Sequence, residues 1–532
     1  MTPASKFISY ISLKKHRYAL LLIVLFILHT IAFSIAGVIT FGRMRVEGID
    51  PVCYYSYLHS VIFDGDLDFE NEYSNLKPSE VLLSFDKTPE GRIPNSFSIG
   101  PAVALAPFYV STHFANAIFK FAPRNGFSPP YQVSVYIGLA FFGLLLLLLI
   151  YKWLLLFFPE KTAFFASVIT YFATSAVYYA WPLTFMPHVV SAFFVLLFLY
   201  YSYRKKGKDL SAIEWFLWGV TTGLMTLMRW QNLLFMAFIF PDVWRRFRKG
   251  NLKRILLNIF LASLGWFIAF FPQMIVWKQL YGSFFTIPQG GGFLLWTRPK
   301  IVSILFSTHN GLFSWTPLTL LGILGILFLT RLKKFRETAI LLFLIFLLQL
   351  YLNSIVRDWH GSWGFGMRRF VNCIPIFGVG IGAFLQVANR KNLLTLAAAG
   401  FTLFVIWNYL FLVQYYFNLV GWHRSLTYHE MVGDKFHILT SIDRKSFVNT
   451  AKHSAMNGYY DDVEKALSLA KEIDPKHPDI YFMAGQIYAS NYQFEKAYEN
   501  YKRALEMVPG DMDVVRAMKD LRRIRDHFYV YE

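Results

Sequence analysis

Cysteine is nearly absent, with Cys53 and Cys373 the only two in the chain. They offer no metal-binding spacing and no disulfide framework. Charge is scarce too, at 16% of 532 residues, which excludes an ordinary soluble enzyme. Acidic residues are the scarcer kind, 33 against 52 Lys and Arg, for a formal net charge of +19. In a soluble protein that excess would suit nucleic acid. Here most of the basic residues sit between apolar runs, which is a topology signal, so no nucleic-acid partner is expected. Matching halves with broken mid-membrane helices are missing as well, and a secondary transporter should show them.

Apolar sequence is what the chain has in abundance: 55% hydrophobic residues, 19% aromatics and a mean hydropathy of +0.40. These values predict an all-α, polytopic membrane protein. Lys14, Lys15 and Arg17 precede an apolar run from Tyr18 to about Thr40, a bilayer thickness long. The run is too long for a signal-peptide core, so it is read as a retained anchor with a cytoplasmic N-terminus. Further spans are expected at about 131–157, 162–180, 184–203, 212–228, 231–244, 254–277, 311–330, 338–356, 371–389 and 392–417, about eleven in all.

Phe97–Phe121 is apolar but broken by Pro101 and Pro107, and is read as lying on the membrane surface. The basic clusters then all fall on the cytoplasmic side: Arg204-Lys205-Lys206-Lys208, Arg245-Arg246-Arg248-Lys249, Arg331-Lys333-Lys334-Arg336 and Arg390-Lys391. Residues 41–130 form an extracytoplasmic loop with surface helices. In it Asp50-Pro51 reads as a helix start, a carboxylate N-cap with proline at the first helical position.

Two basic clusters flank 212–244, a stretch too short for two full crossings, so it should be a hairpin with its apex sunk in the membrane. Arg229, Gln231 and Asn232 stand at that apex. An arginine there is costly unless it faces a polar cavity, which makes Arg229 a candidate functional residue. The stretch Arg357–Phe370, RDWHGSWGFGMRRF, combines fixed positive charge, rigid aromatic surface and glycines that permit close backbone approach. That suits an anionic, ring-bearing ligand at a membrane surface. Arg357, His360, Trp363, Arg368 and Arg369 are its candidate binding residues. His188, in the turn WPLTFMPH, joins them on the same side. No pair of histidines has metal spacing, and no metal or other cofactor is expected. The alternating Asp64, Asp66 and Asp68 read either as oxygen ligands for a divalent cation or as a solvated acidic turn.

From about 420 the composition becomes soluble and helical. Pro475 and Pro509 stand 34 residues apart, and Ala470 matches Ala504 at that offset. GQIYASNYQFEKAYENYKRALEMVP resembles a tetratricopeptide repeat, a packing or protein-docking module. The expected organisation is a membrane domain over 1–420 and an extracytoplasmic helical-repeat domain over 421–532.

The order of an anchor span, an acidic first external loop, a surface helix, paired short spans and an external C-terminal domain resembles the GT-C glycosyltransferase superfamily. DPVCYYSYLHSVIFDGDLDFENEY, SIGPAVALAPFY, GLMTLMRWQN, WKQLYGS, STHNGLFSWTP and GSWGFGMRRF narrow the resemblance to bacterial relatives of protein O-mannosyltransferases. It covers about residues 1–420. It implies an inverting hexosyltransferase of the bacterial cytoplasmic membrane that takes its sugar from a polyprenyl-phosphate carrier, with a first-loop aspartate as base. By position that aspartate is Asp50. The family more often has an acidic residue directly after it, where this chain has Pro51, so Asp64 and Asp66 stay open as the catalytic carboxylate. Arg229 with Arg368 or Arg369 would hold the leaving phosphate. Expected partners are the lipid-linked donor, membrane lipid and a protein bound through the repeats. The alternatives are an oligosaccharide ligase or polymerase, and a transporter or assembly scaffold without enzymatic activity.

Overall fold

The computed structural model describes residues 3–41, 46, 48–76, 82–83, 85–180, 185–249, 252–361, 364–416, 420, 425–436, 447, 450–451, 454, 460–473, 475–476 and 478–528. The described residues are helical. Their single β feature is an isolated antiparallel bridge between Leu294 and Val356. The chain divides into two compact units, Met1–Asn408 and Tyr409–Glu532.

Seven of the described helices are long and apolar enough to cross a bilayer, and the chain is a multi-pass membrane protein. Six of them fall where the sequence places spans: His16–Ile35, Pro129–Leu154, Leu252–Tyr281, Arg336–Ser354, Arg368–Arg390 and Leu394–Tyr415. The seventh is Gly100–Phe119, the segment expected to lie on the surface. It runs through Pro107 as one 20-residue helix, long enough to cross. The other expected spans are shorter or broken. Glu160–Phe172 has 13 residues, Ala212–Met228 has 17, and 311–330 divides into Leu312–Trp315 and Leu318–Leu329.

The 212–244 stretch is built around a backbone break. Ser211 and Glu214 form a capping box that starts Ala212–Met228. The helix stops at Arg229, whose backbone is extended, and continues as a 3₁₀ helix over Trp230–Phe238. The first arm lies tightly against Leu252–Tyr281. A Cβ on Gly219 would overlap the Ala262 carbonyl oxygen, and one on Gly265 would overlap that of Phe216. In lipid, where apolar surface gives helices no reason to associate, small residues at Gly219 and Gly223 permit this close backbone packing.

Ion pairs gather the basic loops at one end of the unit. Lys206 and Arg245 both meet Glu337, Arg246 meets Asp242, and Arg254 meets Asp209. Three helices leave this end and finish at the candidate residues. His188–Lys205 runs between His188 and Lys205, Ala212–Met228 leads to Arg229, and Arg336–Ser354 leads to the 357–370 stretch. At 1.5 Å per residue these helices separate the two ends by about 25 Å.

In the second unit the described helices are Tyr460–Ile473, Pro478–Ser490, Phe494–Met507 and Met512–Phe528. Their core includes Leu467, Ala484, Ile487, Ala497, Tyr501 and Leu521. Ala470 and Ala504, 34 positions apart, are both fully buried. A Cβ at Gly485 would overlap the Tyr501 ring, so glycine sets that helix contact.

Candidate functional site

Arg229 reaches its position because the helix breaks there. One of its guanidinium nitrogens donates to His188 Nδ1 at 3.1 Å. His188 therefore accepts at Nδ1 and carries its proton on Nε2. The bend is held from below by amides. Asn232 Nδ2 donates to Ser191 Oγ and to the Met225 carbonyl, both at 2.9 Å, and Asn232 Oδ1 accepts from Asn372 at 2.6 Å. One of the carbonyls freed by the break is thereby satisfied. Among the described residues, no carboxylate forms an ion pair with Arg229.

Asp50 is not the helix N-cap that the sequence suggests. Ile49–His59 starts two residues earlier than that reading, with Gly48 as N-cap at a φ of 91° that favours glycine, and no side chain caps it. Asp50 sits in the first turn, and its carboxylate pairs with Arg368 at 2.8 Å. The pair is largely enclosed, with the arginine side chain 10% exposed and the aspartate 24%. Arg368 also donates to Met186 Sδ at 3.0 Å. Gly364 makes room for it, since a Cβ there would lie 2.7 Å from Arg368 Cδ. That glycine therefore accommodates a side chain of the protein itself.

Arg369, also buried, donates to the Asp358 carbonyl at 3.0 Å and its carboxylate at 2.8 Å. His360 stacks on His309 with ring centroids 4.3 Å apart, and Trp359 meets both edge-on. Burial lowers the His360 pKa, with Arg369 and Arg368 adding to the effect against Asp358. Arg357 stands apart. It is exposed, and its backbone N–H holds the Phe293 carbonyl at 2.9 Å while its side chain forms no ion pair among the described residues. Trp363 lies outside the described residues.

Three arginines thus converge with two carboxylates, Asp50 and Asp358, and a neutral histidine. The excess is one positive charge, and Arg229 is the cation left without an acidic partner. Such a group is suited to an anion. Tyr54 and Tyr179 complete the wall and carried no signal strong enough to single them out. Tyr54, buried one helical turn after Asp50, lies within electrostatic reach of Arg229, Asp50 and Arg368, and its i, i+4 spacing from Asp50 was the available clue. Tyr179 accepts from the Phe365 N–H at 2.8 Å and donates to the Phe365 carbonyl at 3.0 Å. Nothing local to Tyr179 points to that long-range contact.

Asp64, Asp66 and Asp68 do not form one site. Asp66 accepts from Ser60 Oγ at 2.9 Å and from the Asp68 N–H at 3.1 Å, which folds the loop on itself. Asp64 turns the other way, toward His59 and the fully buried Glu72. Burial pushes the Glu72 carboxyl up to about 7. Burial alone would lower His59, but the hydrogen bond and charge of Glu72, with Asp64 beside it, carry it above its ordinary value.

No family model matches the sequence, and no curated protein matches it. Among solved structures, ArnT from Cupriavidus metallidurans bound to undecaprenyl phosphate overlays with a TM-score of 0.43 at 13% identity, covering 87% of this chain and 80% of that one. The archaeal oligosaccharyltransferase AglB from Archaeoglobus fulgidus, in complex with an inhibitory peptide and a dolichol-phosphate, gives 0.44 at 14% identity, covering 91% and 60%. This chain therefore spans about three fifths of AglB. Overlays this low assign no function.

Proposed function

We propose that this chain is a GT-C-type membrane glycosyltransferase, akin to bacterial relatives of protein O-mannosyltransferases. It moves a sugar from a polyprenyl-phosphate carrier to an acceptor on the extracytoplasmic side. The observation that carries this reading is the convergence of Asp50, Arg229, Arg368 and Arg369 at the ends of helices whose other ends bear the basic loops. Basic loops stay in the cytoplasm, so the site faces the other way.

In the proposed reaction Asp50 accepts the proton of the acceptor hydroxyl as its oxygen attacks the anomeric carbon. The bond from that carbon to the phosphate oxygen breaks on the opposite face, so the configuration inverts. The lipid phosphate leaves with its negative charge, held by Arg229 and Arg368. Arg368 is bound to Asp50 beforehand, and an arriving phosphate would compete for that guanidinium and release the carboxylate for its role as base. His188 fixes the Arg229 head, and Arg369, tied to Asp358, adds positive potential. The C-terminal helices, read as tetratricopeptide repeats, would recruit a protein partner on the same side.

Two measurements test this. Mass spectrometry of glycoconjugates from cells lacking the protein should find a glycan short of one sugar, and an unchanged glycan profile would remove the enzymatic reading. Cysteines placed at Lys206, Arg248 and Lys334 should react with an impermeant reagent only after the membrane is opened, while cysteines in the repeat region react in intact spheroplasts. The reverse pattern would put the site in the cytoplasm and end the proposal of a polyprenyl-linked donor used outside.

A further inference from the structure

His59, Asp64 and Glu72 bring three potential ligand atoms within 4.8 Å of one another. They lie in the first loop and belong to none of the machinery proposed above. His59 Nε2 is 3.1 Å from the Asn125 carbonyl oxygen, which can only accept, so Nε2 carries a proton. Nδ1 then faces Glu72 Oε1 at 2.8 Å and Asp64 Oδ2 at 3.1 Å. Both of those atoms are acceptors as well. One proton at Nδ1 can serve only one of the two carboxylates well, and Asp64 has Asn71 Nδ2 as a further donor. The second oxygen of Glu72 is worse placed, because Oε2 is buried and has no hydrogen-bond partner among the described residues. A buried carboxylate oxygen with nothing to accept from carries a desolvation cost that a bound cation would remove.

The surroundings hold this arrangement rigid. The imidazole lies between Phe127 and Phe63, with ring centroids at 3.9 and 4.9 Å and planes within 19° and 2° of parallel. Gly126, at a φ of 70°, presses so closely that a Cβ would overlap the His59 ring and the Tyr109 hydroxyl. The hydrogen bond from the far ring nitrogen to a backbone carbonyl is the support that orients metal-binding histidines. Asn71 Nδ2 donates to Asp64 Oδ2 at 3.0 Å and orients that carboxylate in the same way.

We propose that His59 Nδ1, Asp64 and Glu72 bind a divalent metal ion of the zinc class. One imidazole with two carboxylates suits zinc better than calcium or magnesium, which favour oxygen-only shells. At bond lengths of about 2.0–2.1 Å, tetrahedral ligand atoms lie roughly 3.3 Å apart, so His59 Nδ1, at 2.8 and 3.1 Å, needs to draw back from each carboxylate oxygen by only a few tenths of an ångström. Glu72 Oε2 or water completes the shell. The ion would clip the first loop to the 125–127 turn at a distance from the arginine cluster, so the proposal stands or falls apart from the glycosyltransferase reading.

The test uses the full chain in detergent, purified through a histidine-free tag, treated with chelator and titrated with zinc alone. We expect one zinc per chain to survive gel filtration, and cobalt in its place to give the visible absorption of a four-coordinate site. Glu72→Gln should weaken zinc binding on the order of 100-fold or more, and Asp64→Asn at least about 10-fold. Asp64 is exposed, so its variant reads out binding even where Glu72→Gln disturbs the loop. Zinc should also raise the unfolding temperature of the natural chain by more than that of Asp64→Asn at the same concentration. A chain that retains no zinc, or one whose zinc binding is unaffected by Asp64→Asn, overturns the proposal and leaves His59 as a protonated bridge between two carboxylates.

Discussion

Arg229→Ala should abolish sugar transfer from a polyprenyl-phosphate donor. Among the described residues Arg229 is the arginine of the cluster with no carboxylate in an ion pair, so a phosphate entering the cluster meets a free guanidinium charge there. Removing one preorganised donor to a developing negative charge costs about 10²- to 10³-fold in rate. The loss should appear in both KM for the donor and kcat, because the same guanidinium holds bound donor and departing phosphate. Arg229→Lys should recover part of the activity, since it keeps the charge but loses the two-pronged geometry. Its link to His188 would also lengthen or break. The assay is transfer by detergent-purified protein, with a melting curve for each variant. A folded Arg229→Ala protein with normal turnover would leave the arginine a structural clamp on the helix break.

Asp50→Asn should lower kcat by about 10²- to 10⁴-fold, the usual loss when a general base is removed. Donor KM should not rise, because a neutral asparagine holds Arg368 less firmly against the arriving phosphate than the carboxylate does. The ion pair changes what this variant costs in stability. A simple N-cap would tolerate asparagine almost freely. Here the exchange leaves a buried guanidinium facing a neutral amide, for a loss of about 1–3 kcal/mol. Rates must therefore be normalised to folded protein. Asp64→Asn and Asp66→Asn should retain near-normal turnover in the presence of zinc, since neither carboxylate faces the arginines. If Asp50→Asn stays active while Asp66→Asn is dead, the base has been misassigned.

Six of the expected spans were legible because apolar length is a local property of the chain. The hairpin break at Arg229 was legible for a related reason, since two basic clusters sat too close together for two crossings. Phe97–Phe121, read as a helix on the membrane surface, holds a continuous helix of crossing length despite its two prolines. Pro101 falls in the first turn, where proline is at home, and Pro107 is carried inside the helix. The pairings within the site were not legible. Which arginine meets Asp50, and that Arg369 turns to Asp358, depends on a late stretch reaching an early loop. The histidine beside Asp64 and Glu72 escaped notice because a five-residue π-helical turn, Ser60–Asp64, re-aims the chain and brings Asp64 back toward His59.

The ion pair between Asp50 and Arg368 also sets a clock for biogenesis. The two residues are separated by roughly 320 positions, and at about 5–20 residues per second the ribosome needs some tens of seconds to travel from one to the other. Asp50 is therefore made long before its counter-ion exists, in a loop that must wait for every intervening segment. A nascent chain that stalls before residue 368 therefore holds Asp50 without the counter-ion it has in the finished fold.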